Sequence, residues 1–314
     1  MIEKIARQIE GMKQQTIGIE IEMADITRRK ACKTVAAYFG TEDTVNHDGG
    51  SYDAWSCKDT QGRTWKITRD VSINARSEAK KAELVTPILS YADIEDLQEI
   101  SRKLRRAGAV SDPIHGCGVH CHIGASGHMA QTLRNLANLM ASHESLIIDA
   151  LNIDYLRTQR YCRTVDPDFL SRLNRRKPKT MAELADTWYA NSYGSRNAHY
   201  NASRYRMLNL HATFTKGTVE FRLFQFDNPS DEHKGGIHAG QLKSFIQLCL
   251  ALSQMAKTAK TASPKPQQNE NPKYAMRTWL LRLGFIGDEF KTARDVLTRR
   301  LDGDAAFRDN RRAA

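Results

Sequence analysis

The sequence predicts an α+β fold, a largely antiparallel sheet with long helices covering it. Three observations predict it. The segments GIEIE (18–22), GVHCHIG (118–124) and TVEFRLF (218–224) alternate polar and apolar side chains with a period of two, as strands do, because successive Cβ atoms leave opposite faces. Short strand-like runs are separated by turn residues, as hairpins are. Two stretches near 129–152 and 232–259 carry apolar residues at helical spacing over many turns.

The elements follow in order. After the first strand, residues 28–39 read as a helix. Residues 52–73 read as a hairpin in which AWSCK pairs with TWKITRDVSI across the turn Asp59-Thr60-Gln61-Gly62. AELVTPIL (82–89) is a strand carrying Glu83 and stopped by Pro87. Ser90 caps a helix over 91–107 that Gly108 ends, and Ile94, Leu97, Ile100 and Leu104 form its core face. The strand with His120 and His122 leads into the helix of 129–152. Residues 153–200 are polar and rich in Arg, Asn and Tyr, with a helix opened by the capping box Thr180…Glu183; this is the candidate substrate region. YRMLNLHATF (205–214) and TVEFRLF pair across the tight turn Thr215-Lys216-Gly217. Residues 261–273 form a linker by composition, and two short helices close the chain. The domain reading is therefore 1–260 as the main domain, 261–273 as linker and 274–314 as a small helical extension.

With 40% hydrophobic and 26% charged residues in 314, the chain is a folded soluble protein rather than a disordered one. Its apolar runs are too short to span a bilayer, and its N-terminus lacks the apolar core of a signal peptide, so a cytoplasmic location is expected. The six cysteines include no CxxC pair, which fits reduced thiols. Cys117, His120, Cys121 and His122 do not have the spacing of a tetrahedral zinc site. A net charge of +11 fits either an anionic small substrate or a nucleic-acid partner; the basic residues are dispersed, with no recognised nucleic-acid module beside them.

Glu20 and Glu22, His120 and His122, and Glu220 and Arg222 each share one strand face, so the three strands together make a polar sheet floor. Such a set is costly to bury unless it binds metal and phosphate. Hard carboxylate oxygens from Glu20, Glu22, Glu83 and Glu220 suit magnesium or manganese, and His120 shifts the preference toward manganese. Arg222 can fork onto a phosphate oxygen. Taken singly each pair has an ordinary alternative, such as a solvent-facing strand edge or a cross-strand ion pair; their coincidence is what carries the reading.

GIEIE, DVSI (70–73), AELVTPIL, GCGVHCHIG, RYRMLNL and TVEFRLF come in the order and approximate spacing of the amidoligase family related to glutamine synthetase and glutamate-cysteine ligase. GCGVHCH resembles the Gly-x-Gly-Met-His-x-His strand of glutamine synthetase, and VEFR resembles its Glu-x-Arg strand. The resemblance, over roughly 17–225, implies a glutamine synthetase-like catalytic domain with a metal- and ATP-lined sheet floor. It implies an ATP-dependent carboxylate-amine ligase holding two or three Mg2+ or Mn2+ ions. In that pattern Glu20, Glu22, Glu83, His120 and Glu220 are metal ligands, His122 and Arg222 phosphate contacts, and Arg206 or Arg204 a further basic partner. Asp70 stands where the family has Asp-Gly-Ser, but this chain reads Asp-Val-Ser. The implied reaction is attack of a carboxylate on the γ-phosphate of ATP to give an acyl phosphate, which an amine displaces. An amino acid, peptide or protein would be the acceptor, and residues 191–201 are a candidate closing loop. The other functions weighed are a basic phosphate- or nucleic-acid-binding protein and a metal-dependent hydrolase on the same carboxylates.

Overall fold

The computed structural model describes residues 2–198, 200–229, 235–266 and 270–307. The chain begins with α1 (Ile2–Lys13), β1 (Ile17–Met23) and α2 (Arg28–Phe39). Strands β2 (Asn46–Gly49), β3 (Ala54–Lys58), β4 (Thr64–Thr68) and β5 (Ala82–Val85) lead to α3 (Ile94–Arg106), β6 (Val119–Gly124) and α4 (Ala130–Leu151). Then come α5 (Tyr155–Arg160), α6 (Pro167–Arg176), α7 (Met181–Trp188), β7 (Leu208–Asn209), α8 (His211–Thr215) and β8 (Thr218–Phe224). The last helices are α9 (Ala239–Thr258), α10 (Pro272–Arg282) and α11 (Lys291–Val296). The α+β class is as expected. The chain divides into two compact units that interleave in sequence.

One unit comprises Thr16–His122 and Leu223–Lys243. Its strands follow the hydrogen-bonded order β2-β3-β4-β5-β1-β6, and β2-β3, β3-β4, β4-β5 and β5-β1 are antiparallel. Thr27 caps α2 by accepting from Lys30 N, and Gly40, at φ 69°, donates its N–H to Ala36 O at the other end. The left-handed φ is open to Gly at little cost. The expected face of α3 is buried at Ile94, Leu97, Ile100 and Leu104, and Ser90 with Asp93 forms a capping box before it. Strand β2, NHDG, was not expected: it is short, polar and mostly exposed, so no alternation marks it. Strand β4 ends at Thr68 rather than continuing to 73, because Asp70 Oδ1 accepts from Ser72 N (2.7 Å) and Ser72 Oγ (2.6 Å), a local turn that competes with the ladder.

The turn after β3 is held by Arg63, whose Nε donates to Asp59 Oδ2 at 2.7 Å and whose Nη2 donates to Asp93 Oδ1 at 2.8 Å. Arg63 holds the Asp93 carboxyl down to about 2. This group's folded value lies below its ordinary 3.8, so its contribution is present above 3.8 and is lost as pH falls toward 2. Arg63→Ala leaves two buried carboxylates without their cation and is expected to destabilise by roughly 3 kcal/mol, the low end for such pairs because Arg63 is partly exposed. Urea denaturation at pH 7 and pH 3 checks this. The variant should lose less than the wild type on acidification, and equal stability of the two proteins at pH 7 would refute it.

The other unit comprises Met1–Gln15, Ile123–Arg222 and Ser244–Ala314. In it the strand order is β6-β8-β7, β6 and β8 each contributing residues to both units. The segment 205–214 was expected to be one strand. Only Leu208–Asn209 pairs with β8, Leu208 facing Phe221 and Asn209 facing Glu220; α8 takes the place of the later part of the expected strand, and Lys216 and Gly217 then turn into β8. The physical reason is Asn209, whose Oδ1 accepts from His211 N at 2.9 Å and bends the chain out of the ladder. Helix α9 is described from Ala239; part of its expected beginning, from 232, lies outside the described residues. Residues 271–307 pack: Trp279 of α10 stacks on His143 of α4, with centroids 3.9 Å apart, and Asn271 Nδ2 donates to the carbonyls of Asp304 and Phe307. The basic run RDNRR (308–312) lies outside the described residues.

Candidate active site

The alternation read in β1 and β6 is present. Ile19, Ile21, Cys121 and Ile123 are fully buried among apolar residues, and Glu20, Glu22, His120 and His122 gather on the opposite face. Strand β5 adds Glu83 directly opposite Glu22 in the β1–β5 register. Imidazole Nδ1 of His120 lies 2.9 Å from Glu20 Oε2 and its Nε2 3.8 Å from Glu22 Oε1, while His122 Nε2 lies 3.3 Å from Glu20 Oε1. Two supports fix the carboxylates: Gly118 N donates to Glu22 Oε2 at 2.6 Å, and Thr68 Oγ1 donates to Glu83 Oε2 at 3.1 Å.

The carboxyls of this group are pulled in opposite directions. Burial opposes ionisation of Glu20, but His122 and His120 outweigh it and hold that carboxyl well below the usual range. Burial and then the charges of Glu20, Glu22 and Asp70 push Glu83 well above it. Like charges directly opposite on antiparallel strands destabilise a sheet. Potential donor atoms of Glu20, Glu83 and His120 lie within 4.8 Å of one another, and those of Glu22, Asp70 and Glu83 do the same. A donor set of carboxylate oxygens with an imidazole fits magnesium or manganese.

Asp70, whose role the sequence left open, therefore belongs to the carboxylate group. The signal for it was only the resemblance at 70–73; the hairpin turn that carries it inward is set by Ser72.

Glu220 and Arg222 belong to the other unit and pair with each other on β8, Arg222 Nη1 donating to Glu220 Oε1. Both are buried, at 2% and 5% exposure. Asn209 Nδ2 donates to Glu220 Oε2 at 2.7 Å, an orienting contact with no sequence signal beyond the RYRMLNL segment. Met207 O accepts from Arg222 N, and the Arg222 guanidinium sits over the Tyr205 ring, 5.9 Å from its centroid. Arg204 stacks over Tyr200 and Tyr205. Arg206 is occupied otherwise: Nη2 donates to Asp166 Oδ2 at 2.6 Å and Nη1 to Thr164 O. Among the candidate loop residues, Arg196 pairs with Asp186 and Asn201 ties back to Ser195 O, while Tyr193 is 95% exposed. His199 lies outside the described residues. All six cysteines are buried, and none is in a disulfide. No described helix is long and apolar enough to cross a membrane.

A family model described as "Putative amidoligase enzyme" matches residues 13–253, well over half of the chain. No protein of curated function matches it. Among solved structures, a bifunctional glutathione synthetase from Pasteurella multocida is similar at a TM-score of 0.43 and 14% identity, over 96% of this chain and 49% of that one. The chain thus spans about half the length of that protein.

Proposed function

Because the chain belongs to the amidoligase family, we propose that it is an ATP-dependent ligase joining a carboxylate to an amine through an acyl phosphate. The observation that carries this reading is the partly buried carboxylate group of Glu20, Glu22, Glu83 and Asp70 with the buried His120 beside it, a donor set whose like charges a divalent cation would offset. Glu20, Glu22, Glu83 and His120, with Glu220, are the proposed ligands for two or three magnesium or manganese ions. Bound there, the ions would neutralise the phosphates of ATP and act as Lewis acids toward the transferred group.

The chain's own residues do the rest. Gly118 N–H and Thr68 hold Glu22 and Glu83 in place, so the ligand oxygens are oriented before a cation arrives. His122 and Arg222 contact phosphate oxygens; the Arg222 fork, steadied by Glu220 and Tyr205, meets charge that grows during transfer. The substrate carboxylate attacks the γ-phosphorus and ADP departs; the amine then displaces phosphate and loses a proton, leaving an amide. Residues 191–201 are proposed to shield the acyl phosphate from water. The acid and amine are amino acids or a peptide or protein acceptor. Residues 1–260 are proposed as the catalytic part, 261–273 as linker and 274–314 as an extension.

ADP release in the presence of ATP and Mg2+ or Mn2+, against pools of amino acids and amine-bearing peptides, tests the reading. Release requiring both an acid and an amine supports it. Turnover of a substrate without ATP would replace it by a metal-dependent hydrolase. Tight, salt-sensitive nucleic-acid binding without ATP turnover would replace it by a binding protein. Arg222→Lys keeps the charge but not the fork and is expected to lower ADP release about a hundredfold; full activity would remove Arg222 from the mechanism.

A further inference from the structure

The geometry points to a carboxylate-binding pocket inside the unit that carries α6 and α7, formed by Arg163, Arg172 and Arg206 beside Trp188, which holds the non-reacting carboxylate of an amino-acid-sized substrate. The anion site stands on its own residues; assigning its ligand to a ligase rests on the proposed function.

A cavity of about 230 Å³ lies among α6, the end of α7 and residues 191–193 and 202–206. It is below the roughly 300–1,000 Å³ of sites for drug-sized ligands, so it suits one amino-acid-sized group and not a nucleotide. Three guanidinium groups and one carboxylate, Asp166, line it. Asp166 is already taken by Arg206. Arg163 and Arg172 form no ion pair among the described residues. The Arg163 Nε meets the Tyr205 carbonyl at 3.5 Å, a marginal hydrogen bond; Arg172 Nη1 donates to the Asn191 side-chain oxygen at 2.9 Å, while the Arg172 Nε is buried without a partner. Leaving a buried guanidinium N–H without an acceptor is costly, and a carboxylate accepts from such forks in pairs.

Phe169 and Trp188 give the pocket an apolar wall. Phe169 and Trp188 meet edge to face at 4.9 Å, and Trp188 Nε1 donates to Ser203 Oγ at 3.0 Å, so the indole is fixed and can cover a substrate body. The pocket also adjoins the proposed phosphate contact. Arg163 N donates to Tyr205 O at 3.2 Å, and it is the Tyr205 ring that carries Arg222. A substrate anchored by its spectator carboxylate would have its reacting end free.

Trp188 offers the readout. The twenty L-amino acids are titrated into the full-length protein by fluorescence and calorimetry. The tightest binder is then compared with its α-carboxamide and its N-acetyl derivative. Saturable binding is expected, at least tenfold weaker for the carboxamide. Arg172→Ala and Arg163→Ala should each weaken it at least tenfold and Arg172→Lys less. Arg175→Ala, exposed on the same helix, should leave it unchanged. Weaker binding of the N-acetyl derivative identifies the ligand as the amine substrate; equal binding identifies it as the acid substrate. No saturable binding of any amino acid, equal binding of acid and carboxamide, or indifference to both alanine variants would overturn the pocket. ADP release is measured separately. Carboxylate binding without ADP release would remove the ligase and keep the pocket, whereas ligase activity whose KM is unmoved by Arg172→Ala would do the reverse.

Discussion

Glu220→Gln is expected to abolish ADP release and also to destabilise the protein by about 3–5 kcal/mol. The sequence alone makes this a site substitution that the fold would tolerate. The structure adds a second consequence, because Glu220 is 2% exposed and is the counter-charge of Arg222, itself 5% exposed. Glutamine has one acceptor oxygen where the carboxylate has two, so it can accept from Asn209 Nδ2 or from the guanidinium but not from both, and its NH2 then meets a donor. The negative charge is lost as well, and a buried guanidinium without one is strongly unfavourable. Guanidinium chloride denaturation in the presence of chelator reads the stability loss. Pairing Glu220→Gln with Arg222→Met removes both charges and should recover most of the stability while leaving turnover absent. A single variant as stable as the wild type would mean that the ion pair is solvated in solution. A single variant that turns over ATP would remove Glu220 from the site.

Glu83→Gln should move stability the other way. Glu83 faces Glu22 across the strands and is pushed well above the usual carboxylate range by burial and by Glu20, Glu22 and Asp70. Its folded value exceeds its unfolded one, so the metal-free protein loses stability as pH rises from 4.5, the ordinary value, through the folded value. Glutamine mimics the protonated side chain and lacks that loss, and Thr68 can still donate to its amide oxygen. The metal-free variant is therefore expected to be more stable than the wild type at neutral pH, by on the order of 1 kcal/mol. Added divalent ion reverses the order. The wild type should gain about 2.7 kcal/mol at a hundred times Kd. The variant, short of a ligand, should gain little and lose at least a thousandfold in ADP release, roughly 4 kcal/mol of transition-state stabilisation. Thermal unfolding with and without Mn2+, across pH 5 to 8, measures both halves. A metal-free variant less stable than the wild type would refute the charge argument, and an undiminished Mn2+ shift would refute the ligand assignment.

How much of this was legible follows from what each signal depends on. Helices α2, α3, α4 and α7 were readable because caps and apolar spacing are local: Ser90 and Thr180 do in the structure what their positions implied. Strand β2 was not, since a short polar edge strand has no buried face to write a pattern. The segment 205–214 reads as a strand by its apolar residues, and only the Asn209 side chain, bonding to the His211 amide, decides that it turns into a helix after two paired residues.

The site divides in the same manner. By itself the sequence determined which side chains share a face, Glu20 with Glu22, His120 with His122, Glu220 with Arg222, because a strand's period of two is a property of the backbone. It also determined the family, through motifs whose order is linear. Register is not linear. That Glu83 lies opposite Glu22, that Asp70 joins them, that Asn209 faces Glu220 and that Arg206 is spent on Asp166 were decided by strand pairing and packing between residues far apart in the chain. Those pairings depend on the summed burial and hydrogen bonding of whole elements, so no short window of sequence contains them.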